Sequence, residues 1–365
     1  MGNVAQDVIW PSSEEDVLVR AVYLYVGQGD ATIFMVKDGD TYRVVLVDIN
    51  RDEKNGGIDV PKLMEDLLED DDGQLVFCNT HPHSDHLRDI EPLSDEVDIH
   101  EVWHSGHKPS KDHNDAYKSL QKVIKKVKKK HGDDAETELR ASSVAKTMGD
   151  GKYFVLWPDK AITDEIADEK PAERSRRIHE QCAVLKFGDG STWAMQLGDA
   201  DRDAFEKNLM KKPRLKAKLK AQVLGGSHHG SDTFFKYSSD DEAYKKGLKE
   251  IDPTYVVISA PKRSESPHNH PDKDAMSYYE EQVASKDDVL HTGKNRKSFI
   301  CDIFSDGEFE VRDDKKKLVN EYGISTDDDD GDKKKKSATS NARAWEPAAP
   351  AVIVPGTRVD EKPMG

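Results

Sequence analysis

The sequence predicts a mixed α/β protein whose sheets are covered by helices, because strand-like and helix-like segments alternate along it. Three early runs dense in Val, Ile, Tyr and Phe predict strands, at 17–26, 31–36 and 42–48. The glycines within 27–30 predict a tight turn between the first two strands. Residues 60–68 carry apolar side chains at helical spacing, and the apolar run 75–78 predicts a buried strand after that helix.

The same alternation continues to about residue 325. Further strands are predicted at 153–157, 182–187, 192–197, 221–225, 254–259, 298–304 and 308–311. Helices are predicted in a lysine-rich segment, near 201–210 and around 272–284. The acidic stretch 158–173 is predicted to be a loop. We therefore expect one folded domain over 1–325, followed by a tail at 326–365 whose charge block and Pro/Ala-rich sequence are typical of disorder.

Composition limits the class of protein. The chain has 365 residues, and none of its apolar runs approaches the ~20 residues that a bilayer crossing needs. Its first residues lack the basic start and apolar stretch of a secretory signal, so we expect a cytoplasmic protein without a membrane anchor. Cys78, Cys182 and Cys301 are far apart and odd in number, which favours reduced, buried thiols.

Charge is unevenly distributed. The net charge of −16 argues against a protein that coats nucleic acid. Two segments, 118–130 and 207–220, nevertheless contain seven basic residues each and no acid. Such a segment is either a solvated helix face or a rim that faces phosphate groups, and the second interpretation makes nucleic acid a candidate partner. In the tail, the apolar island 351–355 is a candidate docking segment for a protein partner.

The strongest chemical signal directly follows the predicted strand 75–78. Residues 80–86 read Thr-His-Pro-His-Ser-Asp-His, which puts three imidazoles and a carboxylate on one short loop. Alternate side chains of such a loop can converge on one cation and the remainder on a second. Only nitrogen and oxygen ligands occur there, so zinc is the first expectation, with manganese and iron as alternatives.

Here the sequence resembles the metallo-β-lactamase superfamily, whose HxHxDH motif is matched in full at 81–86. Within it, the chain is most similar to the hydrolase domain of the competence protein ComEC and its stand-alone relatives. One segment before this motif and three after it resemble motifs of that subgroup: VGQGDA at 26–31, LGDAD at 197–201, SHHGSD at 227–232 and ISAPKRSESPHNHP at 258–271. The resemblance implies an αββα sandwich over 1–325, with a basic helical insertion at about 110–150 and two metal ions at the strand ends.

The resemblance also implies a ligand set, carried over one position at a time: His81, His83, Asp85, His86, His179, Asp199 and His229. His81, His83 and His179 would bind the first metal, and Asp199 would bridge both metals. Asp85, His86 and His229 would bind the second metal. The alternatives are that His179 is a solvated loop histidine and that His228 and His229 exchange roles.

Other residues are expected near the site. Asp85, His228 and His270 are the candidate catalytic residues: Asp85 would orient the attacking water, His228 would contact substrate, and His270 or His268 would hold a phosphate or protonate the leaving oxygen. Asp30 and Asp48 are expected to orient ligating imidazoles. A separate group of histidines is expected to bind no metal, although His104 or His107 could reach substrate: His100, His104, His107 and His113.

These residues predict a metal-dependent hydrolase, with a nuclease or other phosphodiesterase as the first hypothesis. A hydrolase of a small phosphodiester, cyclic nucleotide or (thio)ester is the alternative, and a binding module that keeps the fold without catalysis is the third. The sequence departs from the subgroup after strand 42–48, where Asp48-Ile49-Asn50 replaces a glycine-rich turn. It departs again at Arg88 and Asp89, which replace two glycines. Both changes alter the pocket wall, so the substrate is less transferable than the chemistry.

Overall fold

The computed structural model describes residues 3–12, 14–69, 74–109 and 115–324. Its α-helices are α1 Val4–Ile9, α2 Val60–Leu68, α3 Ile90–Glu96, α4 Asp115–His131, α5 Lys160–Asp168, α6 Pro171–Arg176, α7 Pro213–Lys216, α8 Lys246–Ile251, α9 Lys273–Gln282, α10 Thr292–Asn295 and α11 Lys317–Tyr322. Its strands are β1 Val17–Tyr23, β2 Thr32–Asp38, β3 Thr41–Val47, β4 Leu75–Asn79, β5 Ile99–His104, β6 Glu136–Glu138, β7 Lys146–Met148, β8 Gly151–Trp157, β9 Val184–Gly188, β10 Trp193–Gln196, β11 Val223–Gly225, β12 Tyr255–Ile258, β13 Val289–His291, β14 Phe299–Phe304 and β15 Phe309–Asp313. The predicted mixed α/β class is confirmed.

The strands form two mixed sheets. The first has the order β15-β14-β1-β2-β3-β4-β5-β6, and the second has the order β13-β12-β11-β10-β9-β8-β7. In the first sheet, β3, β4, β5 and β6 run parallel to one another. In the second, β10, β11, β12 and β13 do the same. Each sheet therefore presents several strand carboxyl ends at one edge, where ligand-binding loops of α/β proteins collect.

Three hydrophobic cores hold these layers together. One lies between the two sheets and contains Phe34 and Val45 from the first and Leu185 and Phe187 from the second. The rings of Phe34 and Phe187 stack at 4.4 Å across this interface. A second core lies between the first sheet and α1, α2, α3, α4 and α11. The third lies between the second sheet and helices that include α5, α8 and α9. Each sheet is thus covered by helices on the face away from the other sheet.

Helices α2 and α4 show how the sequence determines the helical layer. Asp59 accepts a hydrogen bond from the backbone of Lys62 and so caps the amino end of α2. The apolar residues of α4 recur on one face, and that face is buried against the first sheet: Leu120, Val123, Ile124 and Val127. The remaining positions of α4 are mostly lysines. Its lysine-rich sequence therefore follows from a helix with one buried face and one solvated face.

Two local predictions were wrong. The predicted loop 158–173 contains α5 and α6. Asp159 caps α5 by accepting from Ile162, and Ile162 and Ile166 are buried one turn apart, so a short amphipathic helix forms despite the acidic composition. The predicted tight turn at 27–30 is a longer loop between β1 and β2. It contacts the loop 80–86, since Asp30 N–H donates to the carbonyl of Asp85 at 3.3 Å.

The lysine-rich segment 110–150 contributes to both sheets. Its residues 115–131 form α4, β6 extends the first sheet beside β5, and β7 extends the second beside β8. Residues 110–114 and the predicted tail 326–365, with its island 351–355, lie outside the described residues. The three cysteines are buried and unpaired, as predicted. Within the described ranges, no helix combines the length and apolar character that a membrane crossing requires.

Candidate metal centre

The candidate ligands come together at the carboxyl ends of the two parallel half-sheets. The loop 80–86 follows β4, Asp199 follows β10, and His228 and His229 follow β11. His179 precedes β9, the antiparallel neighbour of β10, and so lies at the same edge. The structure therefore brings residues that are up to 148 positions apart in the sequence to one place between the sheets.

One group of ligand atoms consists of His81, His83, His179 and Asp199, all within 4.8 Å of one another. The Nε2 atoms of His81 and His179 lie 3.5 and 3.6 Å from Oδ2 of Asp199. Nδ1 of His83 lies 3.0 Å from Nε2 of His81 and 3.2 Å from Nε2 of His179. Three imidazole nitrogens and one carboxylate oxygen thus face a common point.

A second group consists of Asp85, His86 and His229, whose ligand atoms also lie within 4.8 Å of one another. Nε2 of His229 is 3.4 Å from Oδ2 of Asp85. Nε2 of His86 and Nε2 of His229 are 3.1 and 3.7 Å from Oδ1 of Asp199. The two oxygens of Asp199 therefore face different groups, Oδ2 the first and Oδ1 the second.

The second group contains buried polar atoms that other residues do not satisfy. Nε2 of His86, Nε2 of His229 and Oδ1 of Asp199 are buried, and none of them makes a hydrogen bond of acceptable geometry with the described residues, although the His86 nitrogen lies 3.1 Å from the Asp199 oxygen. Buried polar atoms are normally hydrogen-bonded, and an unpaired one is costly. Imidazole nitrogens and carboxylate oxygens are the ligands that zinc, manganese and iron accept. The ligand atoms of each group could therefore hold a metal ion.

Electrostatics differ between the two groups. Burial lowers the pKa of His81, His83 and His179, which keeps these imidazoles neutral, the form that binds a cation. For His229, burial opposes the charged form, but Asp199 and nearby carboxylates outweigh it and raise the pKa to about 9. Negative charge thus dominates the second group, where a cation would balance it.

Asp48 holds the loop of the candidate centre in place. Asp48 directly follows β3 and adopts a left-handed backbone conformation, with φ of 58°. One carboxylate oxygen accepts from the backbone N–H of Thr80 at 2.8 Å and from the amide of Asn79 at 3.0 Å. The other accepts from the Thr80 hydroxyl at 2.6 Å and lies 2.8 Å from Nδ1 of His86. This contact directs Nε2 of His86 toward Asp199, the role that the sequence predicts for Asp48.

Asp30 does not orient an imidazole in the predicted way. Its Oδ1 lies 3.9 Å from Nδ1 of His229, beyond hydrogen-bond distance. The Nδ1 of His229 instead lies 3.0 Å from the backbone carbonyl of Ser259, which fixes the ring because a carbonyl only accepts. Asp30 is fully buried, and burial raises its pKa to about 6. It contributes charge to the second group and does not fix the direction of the His229 ring.

His228 and His270 lie beside the first group. Nδ1 of His228 is 2.9 Å from the Thr233 hydroxyl, and its Nε2 is 3.5 Å from Oδ2 of Asp199. The His270 ring lies 5.5 Å from the His228 ring, and burial lowers the pKa of His270 to about 4. His268 is exposed, with its ring 5.9 Å from that of His270. His228 and His270 are therefore near enough to contact a substrate bound at Asp199.

The other predicted histidines do not form one cluster. His104 lies 3.3 Å from Glu136, and His107 lies 2.9 Å from the side-chain oxygen of Gln181. His100 is at the beginning of β5, at the opposite end of the strand from His104. His113 lies outside the described residues. Burial lowers the pKa of His107 to about 4, and its contact with Gln181 acts in the opposite direction.

The sequence did not identify Cys182 as a neighbour of the centre. Its Sγ accepts the backbone N–H of Asp199 at 3.2 Å and lies 3.6 Å from Nδ1 of His81. The adjacent Gly198 has φ of 52°, and a Cβ there would lie 2.8 Å from this sulfur. The only sequence signal was that Cys182 follows His179 by three positions, which does not distinguish a structural thiol from one that contacts ligands.

Comparison of the chain with models of protein families and with curated proteins gave no match.

Proposed function

We propose that the protein is a metal-dependent phosphodiester hydrolase with the αββα arrangement of the metallo-β-lactamase superfamily. The observation that carries this proposal is the divided Asp199 carboxylate, whose Oδ2 faces His81 and His179 while Oδ1 faces His86 and His229. A carboxylate shared between two sets of ligands is the arrangement that a two-metal site requires. The unpaired buried atoms of the second group support the same interpretation.

In the proposed centre, His81, His83, His179 and Asp199 hold one divalent cation, with zinc as the first candidate and manganese and iron as alternatives. Asp85, His86, His229 and Asp199 hold the other. Bound cations would lower the pKa of water toward ~7 and offset the negative charge of a phosphoryl group.

The protein's own residues would supply the remaining functions. Asp85 belongs to the second group, with its Oδ2 3.4 Å from Nε2 of His229, and the carboxylate oxygen that does not ligate could accept a hydrogen bond from an attacking water and orient it. His228 has its Nε2 beside Oδ2 of Asp199, where it can donate to a phosphoryl oxygen. His270 is half-buried and its low pKa leaves it neutral near pH 7, so it can donate one hydrogen bond to the leaving oxygen without carrying a charge.

A small phosphodiester is the second candidate substrate beside nucleic acid, and the positions of the lysines favour it. Five of the seven lysines within 118–130 form ion pairs with acids of the described chain: Lys118, Lys122, Lys126, Lys128 and Lys130. Four of the seven basic residues within 207–220 do the same: Lys207, Lys212, Lys216 and Lys220. The end of α4 that is richest in lysine also contacts Asp98, through Lys130. Asp98 precedes β5 and lies at the far end of the sheet from the loop 80–86. Much of the positive charge is therefore compensated or remote from the centre.

The test is hydrolysis by zinc-loaded, manganese-loaded and EDTA-treated protein, with bis(p-nitrophenyl) phosphate, cyclic nucleotides, single-stranded and double-stranded DNA and RNA as substrates. We expect activity that depends on metal and that falls on the order of 10³-fold in Asp199→Ala, because several kcal/mol of charge stabilisation are lost. Asp203→Ala is the matched control, since Asp203 is a partly buried carboxylate four residues away that pairs with Lys207 and with none of the candidate ligands.

Two outcomes would refute parts of this proposal. Metal-loaded protein that cleaves none of these phosphodiesters is not a phosphodiesterase, and a panel of thioesters and carboxylic esters would then test the alternative hydrolase. Equal metal content in wild type and Asp199→Ala would exclude Asp199 as a shared ligand. A substrate preference for DNA that weakens steeply with salt would favour nucleic acid over the small phosphodiester.

A further inference from the structure

A second group of imidazoles and a carboxylate lies away from the candidate centre. Asp98 directly precedes β5, His100 is the second residue of that strand, and His131 is the last residue of α4. The candidate centre follows the carboxyl end of β4, which runs parallel to β5. The six residues of β5 separate the two ends of the sheet by about 20 Å. The Asp98 group is therefore a separate location with its own chemistry.

The geometry of this group fits a single cation. Nε2 of His131 lies 2.8 Å from Oδ1 of Asp98, and Nε2 of His100 lies 3.8 Å from Oδ2. The two imidazole rings are stacked with centroids 4.7 Å apart. One ligand atom from each of the three residues lies within 4.8 Å of the others. Zinc–ligand bonds of 2.0–2.2 Å imply about 3.3 Å between ligand atoms of a tetrahedral site. The two separations from the imidazoles run to different oxygens of Asp98, so small side-chain rotations would bring one oxygen to this spacing.

Two features show that protein contacts satisfy this group incompletely. Nδ1 of His100 is buried without a hydrogen-bond partner among the described residues, and its Nε2 is too far from Asp98 for a hydrogen bond. The carboxyl end of α4, a helix of 17 residues, also points its backbone carbonyls toward His131 and favours positive charge there. The His100 nitrogens distinguish the group from a completed ion pair, and the helix end favours any cation bound beside it.

One cation already competes for the carboxylate. Nζ of Lys130 lies 2.7 Å from Oδ1 of Asp98. The Lys130 side chain is 60% exposed, so it can move into solvent when another cation arrives. Asp98 would then be free to ligate together with the two imidazoles. Displacing the lysine costs binding energy, so affinity here should be weaker than at a buried centre with seven ligands.

We propose that Asp98, His100 and His131 form a metal site for one transition-metal ion, zinc by ligand type, which is separate from the Asp199 centre. Three protein ligands leave one coordination position for water. A bound ion would tie the carboxyl end of α4 to the beginning of β5. This proposal does not depend on the hydrolase function, because it uses none of the same residues.

Equilibrium dialysis of the whole protein against Zn²⁺, followed by metal analysis, tests the site. The variants His131→Gln and His100→Gln remove one ligand each, and Lys129→Gln is the matched control, since Lys129 is exposed on the same turn of α4. We expect each histidine variant to bind one zinc equivalent less than wild type and control. In an Asp199→Ala background, which removes the other centre's shared ligand, the same one-equivalent difference should persist.

The expected and contrary results are distinguishable. Circular dichroism establishes that each variant is folded, and His100→Gln serves if His131→Gln is not. Co²⁺ added to the Asp199→Ala protein should give visible absorption bands that weaken in the Asp199→Ala, His131→Gln double variant. Equal zinc content in wild type, His100→Gln and His131→Gln would overturn the proposal, whether or not the Asp199 centre binds metal.

Discussion

Two buried clusters of charged and polar side chains in this protein differ in how their polar atoms are satisfied. Arg20 of β1 and Asp302 of β14 face each other in register, with Nε–Oδ1 and Nη2–Oδ2 distances of 2.5 and 2.7 Å. The remaining guanidinium nitrogen donates to the carbonyl of Ile9. Around Asp199, by contrast, buried imidazole nitrogens and a carboxylate oxygen lie close together without making hydrogen bonds of acceptable geometry with the described residues. Burial alone therefore does not indicate function, whereas converging unsatisfied ligand atoms do.

The largest effect on stability should come from the satisfied cluster. Asp302→Asn leaves the Arg20 guanidinium buried without its carboxylate, so we expect the free energy of unfolding to fall by about 3–5 kcal/mol. Urea unfolding measures this change, and metal content should stay the same. Arg312→Gln is the control, because Arg312 bonds to the same carboxylate from a position that is 38% exposed and should cost less than about 1 kcal/mol. Similar losses in both variants would contradict the assigned difference.

His107 is an intermediate case, since one ring nitrogen faces Gln181 and the other is buried without a partner among the described residues. Burial lowers its pKa from 6.5 to about 4. Between these values the unfolded chain binds more protons than the folded one, so the contribution of His107 is complete above pH 6.5 and is lost as pH falls toward 4. The loss is at most about 3 kcal/mol.

The measurement for His107 is the difference in unfolding free energy between wild type and His107→Gln across pH 4–7.5. We expect wild type to lose more stability than the variant on acidification, because glutamine does not titrate. Using the difference removes the contributions of the other histidines that both proteins share. Parallel pH curves for the two proteins would show that His107 is not kept neutral by burial.

Substitution of Asp48, which is not itself a candidate ligand, tests the cluster around Asp199. Asp48→Asn weakens the contact that orients His86, and we expect metal affinity to fall about 10- to 100-fold, or about 1.4–2.7 kcal/mol. Titration against a chelator of known affinity measures the change. Asp52→Asn is the matched control, because Asp52 is also a buried carboxylate in a nearby loop but bonds to Asn55 and to the backbone of Gln28. Unchanged affinity in Asp48→Asn would assign Asp48 to the fold alone.

Features that leave a local signal in the sequence could be predicted, whereas features that depend on contacts between distant residues could not. Apolar runs such as 75–78 predict strands because burial on both faces leaves a local signal, and the loop 80–86 is dense enough to predict ligands by itself. The three-residue strands β6, β7 and β13 are too short to show a period, and the helices within 158–173 depend on two buried isoleucines and a capping aspartate. Local composition does not reveal such contacts.

The candidate site was predictable only in part, because only some of its ligands are neighbours in the sequence. His81, His83, Asp85 and His86 are adjacent in the sequence, whereas the inclusion of His179, Asp199 and His229 came from the resemblance to a known superfamily. The structure brings all seven together. Cys182 contacts Asp199 at 3.2 Å, whereas Asp30 lies 3.9 Å from His229, beyond hydrogen-bond distance, and no sequence pattern encodes such small differences in position.

The smallest effect should come from the lysines of α4, a helix whose sequence is rich in positive charge. Lys122 lies 3.0 and 3.2 Å from the two carboxylate oxygens of Glu91, yet its side chain is 68% exposed. Water screens such a pair, so Lys122→Gln should change the free energy of unfolding by less than about 1 kcal/mol, and less still in 1 M salt. Urea unfolding at both ionic strengths is the measurement. A larger loss of unfolding free energy that resists salt would mean that this pair is as well shielded from water as Arg20 and Asp302. The lysines of α4 would then have a structural role and would not simply form a solvated helix face.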